Sequence, residues 1–545
     1  MQQVLSYLRD KSLQELATDP LYQWIGNNNR DTLCRQFDVV IPILNFILTF
    51  PNYNQQYLTY TTNHHLDDYT DSLINIINQH AAEDAQHIYF FLQDILKLNL
   101  ATIWGLNYPS HWLWVIWSCP QLDAARGNAS NRIRSLLAPE HLHKLAYRYI
   151  HIEQIEQDGH YLFSSFNKIA TQLVQREKIQ AIYFGKYHLE MEQAHVGNGA
   201  FAQIRLSPTD REKVIEIVNY KHMLSKEMNT MMLHFAETNS STQTTCHPLI
   251  DEQHRAIHRA KEKMQHAYPF PDLVWSISPK PGLCDNELYE AWQLHHDRFL
   301  QHPLSHIMKN TPIEDSERVL RIIMLFFANR MLSLRTLNLY DLSLSPAGQN
   351  ETETVFKKLR QMFATHSTLY FHDWHELNMD EQLKEESPYF LKLLFTDTSV
   401  QASDLEAIFE FRREALSSAY CAPLKLWCYL SINFMATAFT LGTKVLAEQY
   451  QYQYPHRSPL VYLGGQLHLL YEEVDTDWNN PHRINHLYQM PVSSKNKAEI
   501  LAMMQRMCDH GIRHWDNLAR LLSNYPTLTL TNLFTLMHNK IGELQ

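Results

Sequence analysis

Two clusters of histidine and carboxylate side chains have a spacing that brings their members together only on an α-helix. The earlier cluster is His80, Asp84 and His87, and the later one is His188, Glu192 and His195. In both, the residues stand at positions i, i+4 and i+7, which share one face of a helix over two turns. Imidazoles and carboxylates can supply most of the ligands of a metal ion. The spacing therefore predicts two helices that each contribute to a metal site.

The composition of the chain is that of a helical, globular protein. The 545 residues include only 14 glycines, and regular alternation of apolar and polar residues is scarce. Hydrophobic residues make up 45% of the chain and charged residues 19%, which excludes a disordered protein. The length suffices for two or three domains with full cores. We predict an all-α fold.

Charge and hydropathy exclude several classes of partner. A net charge of −11 disfavours binding to nucleic acid. The longest apolar runs, Phe37–Phe50 and Cys428–Leu441, are too short or too polar to span a membrane. The N-terminus lacks the basic and apolar segments of a signal peptide, and the 7 cysteines are scattered without a Cys-x-x-Cys pair. We predict a cytoplasmic protein with no nucleic-acid or membrane partner.

Apolar periodicity and breaker residues predict the helices around the two clusters. The predicted helical segments are residues 4–48 with a helix start at Asp19-Pro20, residues 66–99, residues 138–165 continued or restarted over 166–175, residues 179–203, and a helix capped by Thr209-Asp210 that runs to about residue 238. The second of these segments carries the earlier cluster, and the fourth carries the later one. The third contains Glu153 and Glu156, one turn apart.

Two breaks divide the chain into three parts. Residues 239–247 are small and polar, and residues 269–282 contain four prolines. The predicted parts are a helical bundle over 1–240, a linker and charged helix over 241–285, and a second bundle over 286–545.

The two predicted bundles share short motifs, which indicates an internal duplication. The segment from Tyr462 to His468 is similar to the segment from Tyr183 to His188, with one residue inserted. The spacing from His87 to Asp94 recurs from His366 to Asp373. In these two alignments Glu472 aligns with Glu192 and Asp475 with His195. Phe363 aligns with Asp84, and Leu359 aligns with His80. The second copy would keep the scaffold and have too few ligands for a stable metal site.

Three motifs of the first half together resemble the heme-oxygenase-like diiron oxidases, a family of iron-containing redox enzymes. They are Glu83-Asp-Ala-Gln-His87-Ile-Tyr-Phe-Phe-Leu-Gln-Asp94, then Ile155-Glu156-Gln-Asp-Gly, then Tyr183-Phe-Gly-x-x-His188-x-x-x-Glu192-x-x-His195. The resemblance covers roughly residues 15–235. It implies a bundle related to heme oxygenase that binds two irons without haem and uses O₂ as a co-substrate. The substrate would be a small organic molecule of the amino-acid or fatty-acid kind.

The resemblance also implies a set of ligands and partners. The metal ligands would be Asp84 or Glu83, His87, Glu156, with Glu153 as the alternative bridging acid, and His188, Glu192 and His195. The metal pair is Fe/Fe or Mn/Fe, and the electrons come from an unidentified donor. A homodimer is one open arrangement.

Three other interpretations stay open on the sequence. The chain fits a non-catalytic helical binding or scaffold protein with a vestigial metal site. It also fits a haem protein, although a haem pocket does not need carboxylates beside its axial ligand. A metal-free hydrolase of the thiaminase-like kind would need a nucleophilic cysteine, and none is adjacent to the two clusters.

Overall fold

All regular secondary structure in the described part of the chain is helical, as the sequence predicted. The computed structural model describes residues 1–27, 68–84, 87–108, 111–112, 115, 144–195, 199–240, 250–251, 254–255, 257–258, 279, 281–338, 369–382, 422–464 and 489–524. The chain divides into two compact units, Met1–Ile250 and Asp251–Gln545. This division falls inside the segment 241–285 that the sequence analysis assigned to a linker.

The first unit is built around one long helix. Its main helices are α1 (Gln2–Glu15), α2 (Pro20–Asn27), α3 (Asp68–Asp84), α4 (His87–Leu98), α5 (Leu145–Arg176), α6 (Lys186–His195) and α7 (Pro208–Ser240). Helix α5 has 32 residues and packs against α1, α2, α3, α6 and α7. Residues 146–154 of α5 are all buried, so every face of its first turns is covered.

The observed boundaries correct several predicted ones. Within the predicted helix over 66–99, the described residues are helical as α3 and α4, and residues 85–86 between them lie outside the described part. Helix α5 begins at Leu145 rather than at residue 138, since Lys144 has an extended backbone. The Asp19-Pro20 start is confirmed, because Asp19 Oδ1 accepts from the backbone N–H of Leu21 at 2.9 Å.

Helix α7 is capped one turn earlier than predicted. The cap is Ser207, whose Oγ accepts from the backbone N–H of Asp210 at 3.0 Å and donates to the Asp210 carboxylate at 2.8 Å. The Ser207 hydroxyl thus satisfies one of the free N–H groups of the first turn, that of Asp210. Thr209 therefore lies inside the helix, and Asp210 supports the cap rather than providing it.

The second unit also surrounds one long helix. Its main helices are α8 (Asn286–Leu300), α9 (Pro303–Asn310), α10 (Ser316–Asn338), α11 (residues 369–376), α12 (Ala422–Gln453) and α13 (Ser494–Asn524). Helix α12, with 32 residues, packs against α8, α9, α10 and α13.

Several local features recur in the two units. Helices α2 and α9 each have 8 residues and begin with proline after a capping side chain, Asp19 in one and His302 in the other. The helices α4 and α11 are each followed by an asparagine with a left-handed backbone, Asn99 with φ 50° and Asn378 with φ 54°. Asparagine tolerates that conformation better than most residues do. No helix in the described residues is long and apolar enough to cross a membrane.

Candidate metal centre

The structure describes the side chains of four of the eight predicted ligands. These are His87 on α4, Glu153 and Glu156 on α5, and His188 on α6. The other four, Glu83, Asp84, Glu192 and His195, lie on α3 and α6, but their side chains are outside the described part. In the second unit, the segments around His366 and His468, with Glu472 and Asp475, also lie outside the described residues.

A buried carboxylate–imidazole contact joins α3 to the central helix. His80 Nε2 lies 3.0 Å from Glu156 Oε1. Glu156 is 1% exposed, and only 11% of the His80 side chain is exposed. The motif resemblance did not include His80 among the ligands, although the i, i+4, i+7 spacing did place it on the same helix face. Tertiary packing therefore places His80, a member of the earlier cluster, next to Glu156, a predicted ligand on a different helix.

A second contact joins two predicted ligands, His87 of α4 and His188 of α6. His188 Nε2 lies 3.3 Å from His87 Nδ1, and the two rings meet edge to face with their centroids 4.4 Å apart. The ring of His188 is fully buried. Its faces and edges contact the rings of Tyr183, stacked at 4.5 Å, and Phe163, edge-on at 4.3 Å. Aromatic neighbours on several sides fix the orientation of this imidazole.

Glu153 is held by a phenol on its own helix. Tyr149 Oη donates to Glu153 Oε2 at 2.8 Å, and both residues are buried. The Tyr149 ring stacks on Phe201 with centroids 3.6 Å apart. A buried carboxylate is costly unless it accepts hydrogen bonds, so the phenol compensates part of that cost. The sequence analysis placed Glu153 correctly on a helix with Glu156 and missed Tyr149.

The later cluster is preceded by a turn that the sequence analysis assigned to helix. Residues 181–185 are non-helical, and α6 begins at Lys186 rather than at residue 179. The carboxylate of Asp94 accepts from the backbone N–H of Ile182 at 2.8 Å and of Phe184 at 3.0 Å. Burial raises the pKa of Asp94, and these two N–H groups oppose the rise. These long-range hydrogen bonds stabilise the turn against continuing as helix.

The second unit contains the same capped turn. Asp373 of α11 accepts from the N–H of Val461 and of Leu463, each at 2.7 Å. The donors follow the carboxylate by 88 and 90 residues, the same separations as in the first unit.

A glycine closes both turns, Gly185 in one and Gly464 in the other. A Cβ atom would collide with the carbonyl oxygen of Ala181 in the first turn and of Leu460 in the second. Only a residue without a Cβ fits there.

The central helices of the two units differ in their buried polar groups. Counted back from their last residues, Arg176 and Gln453, Tyr149 corresponds to Leu426 and Glu153 to Leu430, both buried. The other replacements are His151 by Cys428, Glu156 by Asn433 and Asp158 by Met435. The side chain of Asn433 is outside the described part. In this register α12 carries no carboxylate where α5 has three.

A contact on the opposite side of α5 supports this register. Ser225 Oγ of α7 donates to Asp158 Oδ2 at 2.5 Å. At the matching place of the second unit, Gly511 of α13 lies against Met435, and a Cβ on Gly511 would be 2.8 Å from the Met435 sulfur. A polar pair in one unit is thus a close apolar contact in the other.

The same side of α5 also buries an amide. Gln154 is fully buried, and neither its amide oxygen nor its amide nitrogen has a hydrogen-bond partner among the described residues. Buried amides without a protein partner commonly bind ordered water.

A surface groove of about 430 Å³ lies beside the capped turn of the first unit. It is lined by Phe90, Gln93, Asn167, Ala170, Thr171, Val174, Gln180, Ala181, Ile182, Gly185, Lys186 and Tyr187. Phe90 and Tyr187 meet edge to face at 5.6 Å, and they neighbour His87 and His188 in the sequence. The groove offers a recess for a small, partly apolar molecule near this histidine pair.

The described donors fit a non-haem metal in their chemistry. Imidazole nitrogen and carboxylate oxygen are the donors that iron and manganese take in helical bundles. Two buried donor pairs are present, His80 with Glu156 and His87 with His188. Within the described side chains, no group of three or more His, Cys, Asp or Glu residues has a geometry that could hold a metal ion. A complete ligand set would therefore require the side chains of α3 and α6 that lie outside the described part.

Comparison with known proteins assigns the chain to no family. No family model matches it, and no curated protein matches it.

Proposed function

We propose that the first unit is a non-haem diiron oxidase or oxygenase that uses O₂ to oxidise a small organic substrate. The observation that carries this proposal is the buried contact of Glu156 with His80, between α5 and α3. The buried pair of His87 and His188 adds a second set of nitrogen donors.

Burying these groups lowers stability, which argues for a role beyond folding. An ionisable group in a protein core costs several kcal/mol unless it is paired, and apolar residues of similar volume often give a more stable core. The second unit forms the same kind of long central helix with Leu426 and Leu430 in place of Tyr149 and Glu153. Clusters of buried ionisable groups are typical of functional sites.

The residues of the first unit have distinct roles in this proposal. The metal ligands would be His80, Glu156, His87 and His188, with Glu83 or Asp84, Glu192 and His195 completing the set. When bound, the iron pair supplies the activation of O₂ and the redox chemistry. Tyr149 holds Glu153 in one orientation, and the rings of Tyr183 and Phe163 exclude water from His188.

The groove next to Phe90 and Tyr187 gives the substrate its place in this proposal. Its mixed lining suits a small organic molecule with an apolar part. The reductant that supplies electrons is a separate partner.

We further infer that the two units arose by internal duplication and that the second is a degenerate copy that acts as a scaffold or in dimerisation. The support is the pair of capped turns at Asp94 and Asp373, with equal separations, and the long central helix that each unit packs its other helices around. The loss of Glu153 and Asp158 at Leu430 and Met435 supports its degeneracy.

The test is iron binding by a matched pair of variants. Purified chain is loaded with Fe(II) under argon, and iron per chain and the Mössbauer spectrum are measured. The wild type is expected to bind about two irons, the number of a dinuclear carboxylate site in a helical bundle. Glu156→Gln is expected to lose at least about tenfold in iron affinity, since an amide is a weaker ligand than a carboxylate.

The control is Glu376→Gln in the second unit. Glu376 Oε1 lies 3.5 Å from His372 Nε2, so this variant removes another carboxylate beside a buried histidine. It is expected to bind iron as the wild type does. A wild type with less than about one iron per chain, or without an O₂-dependent absorbance change, contradicts the proposal and favours a non-catalytic binding protein.

A further inference from the structure

We propose that Asp94 is a positioning residue for His188: it fixes the 181–185 turn, whose Tyr183 ring in turn sets the orientation of the His188 imidazole. This role rests on the proposed function, because it concerns the metal affinity of the site. Asp94 does not itself belong to the predicted ligand set.

The first step is the hold of Asp94 on the turn. Its carboxylate is fully buried and spans two backbone donors, Ile182 and Phe184, with one oxygen on each. Hydrogen bonds to an ionised acceptor in a buried setting are roughly twice as strong as neutral ones. Residues 181–185 lack regular secondary structure, so their conformation depends on such external partners.

The second step runs from the turn to the metal ligand. The backbone of Tyr183 lies between the two N–H groups that Asp94 holds. Its ring packs edge-on against Phe91 of α4 at 5.4 Å and against Phe163 of α5 at 4.9 Å. The same ring lies almost parallel to His188, with an interplanar angle of 22° and a centroid distance of 4.5 Å. The imidazole can therefore rotate only if Tyr183 moves.

This packing fixes the direction in which Nε2 of His188 points. His188 presents Nε2 towards His87 at 3.3 Å. Metal affinity depends on such fixed orientation of imidazole ligands, and loss of supporting contacts typically costs 10–100-fold. A turn released from Asp94 would leave His188 with more than one ring orientation.

The second unit provides a control that distinguishes this positioning role from a role in folding alone. Asp373 holds Val461 and Leu463 as Asp94 holds Ile182 and Phe184, and Tyr462 contacts Tyr370 as Tyr183 contacts Phe91. The central helix behind this turn has lost the carboxylates of α5. The same substitution in both units therefore removes the same backbone cap, but only one of them faces the proposed site.

The experiment compares Asp94→Asn with Asp373→Asn. An asparagine offers only one acceptor oxygen and turns an N–H group towards the second backbone N–H. Both variants are expected to shift the denaturation midpoint downward by comparable amounts. Asp94→Asn is expected to weaken Fe(II) binding by at least about tenfold and to broaden the Mössbauer spectrum, whereas Asp373→Asn leaves both as in the wild type.

A second pair of variants tests the ring directly and does not disturb the cap. Tyr183→Leu removes the ring that stacks on His188. Phe184→Leu removes a neighbouring ring that packs on Phe166, Phe91 and the Tyr183 ring, and leucine keeps an apolar contact there because Leu463 occupies the matching position. Tyr183→Leu is expected to weaken iron binding at least about tenfold, and Phe184→Leu is expected to leave it unchanged.

The outcomes distinguish this role from the proposed function. A wild type that binds no iron contradicts the proposed function, and the positioning role with it. A wild type that binds iron, with unchanged affinity in Asp94→Asn, contradicts the positioning role alone. If Asp94→Asn does not fold, Tyr183→Leu decides the matter: wild-type affinity and spectrum in that variant overturn the role, and their loss supports it.

Discussion

The central helices of the two units, α5 and α12, have similar surroundings but very different buried side chains. Helix α5 buries His151, Glu153, Gln154, Glu156 and Asp158, whereas α12 buries Cys428, Leu430, Ser431 and Met435 along the same stretch. A bundle of this kind therefore forms around an apolar central helix. The difference teaches that the polar groups of α5 are not required for the architecture.

Other features are the same in both units, and these indicate what the architecture does require. The buried aspartates Asp94 and Asp373 each hold a glycine-closed turn, and Gly185 and Gly464 leave space for a carbonyl oxygen. A buried carboxylate with two backbone donors is satisfied by the turn itself. The cap explains why an aspartate is present at this place in both units, and the proposed positioning of Tyr183 gives Asp94 a second role in the first unit.

The largest expected effect comes from giving α12 one carboxylate of α5. Leu430→Glu would bury a charge at a fully buried position where the neighbour one turn away is Leu426 rather than a phenol. We expect a loss of about 3–5 kcal/mol of stability, the cost of an uncompensated buried charge. Urea denaturation measures the loss, and hydrogen exchange locates it in the second unit.

Two companion variants show whether this loss comes from the charge. Leu430→Met keeps the volume and is expected to cost less than about 1.5 kcal/mol. Adding Leu426→Tyr to Leu430→Glu restores the pairing of Tyr149 with Glu153 and should recover part of the stability. If Leu430→Glu is as stable as Leu430→Met, the core around α12 already accommodates a carboxylate, and the contrast between the helices is weaker than proposed.

A smaller effect is expected at Asp158 and Ser225, a polar pair of the first unit whose matching residues in the second unit, Met435 and Gly511, form an apolar contact. Ser225→Ala removes the hydroxyl that donates to Asp158 and is expected to cost about 1–3 kcal/mol. The double variant Asp158→Met with Ser225→Gly copies Met435 and Gly511. It is expected to be more stable than the sum of its single variants, because neither polar partner is left behind.

A double-mutant cycle by chemical denaturation measures this coupling. If the free-energy effects of the two single substitutions simply add, the Asp158–Ser225 contact and the Met435–Gly511 contact do not occupy equivalent positions in the two units.

The smallest expected effect is at the start of the last long helix of each unit. Serine caps both helices, Ser207 in α7 and Ser493 in α13. In the first unit, hydrogen bonds from Lys144, Ser207 and Tyr147 lower the pKa of Asp210 to about 2. The matching residue of α13 is Asn496, which does not titrate.

Asp210→Asn should therefore remove a pH-dependent contribution from α7. Because the pKa of Asp210 is depressed in the folded state, its contribution is present above pH 4 and is lost as the pH falls towards 2. The Asp210 side chain is 30% exposed and that of its partner Lys144 is 50% exposed, so solvent screening keeps the effect below about 1 kcal/mol. Hydrogen exchange at the start of α7, compared between wild type and variant from pH 6 to pH 2, measures it. A difference that does not shrink below pH 4 contradicts this assignment.

The sequence predicted the helices better than their ends. Periodic apolar residues predicted a helix over 179–203. The hydrogen bonds to Asp94 instead hold residues 181–185 in a non-helical turn, and α6 begins at Lys186. No local signal reveals that cap, because its donors are 88 and 90 residues away in the chain. One indirect signal was present in the repeated spacing from His87 to Asp94 and from His366 to Asp373.

The candidate site was also only partly predictable. Spacing identified His87 and His188 as candidates, and the family resemblance added Glu156; the structure buries Glu156 and His188 fully or almost fully. It could not show that His80 pairs with Glu156 or that Tyr183 stacks on His188, since both contacts join different helices.

By itself, the sequence determined the all-α class and the approximate positions of the long helices of the first unit, because periodicity and helix propensity act over neighbouring residues. It also showed that both His/carboxylate clusters lie in the first half of the chain. Only the tertiary structure decided which side chains meet in the core and where the turn before α6 is held. The physical reason is that those contacts depend on packing between helices distant in sequence, where a few ångströms decide whether a polar group is paired or buried alone.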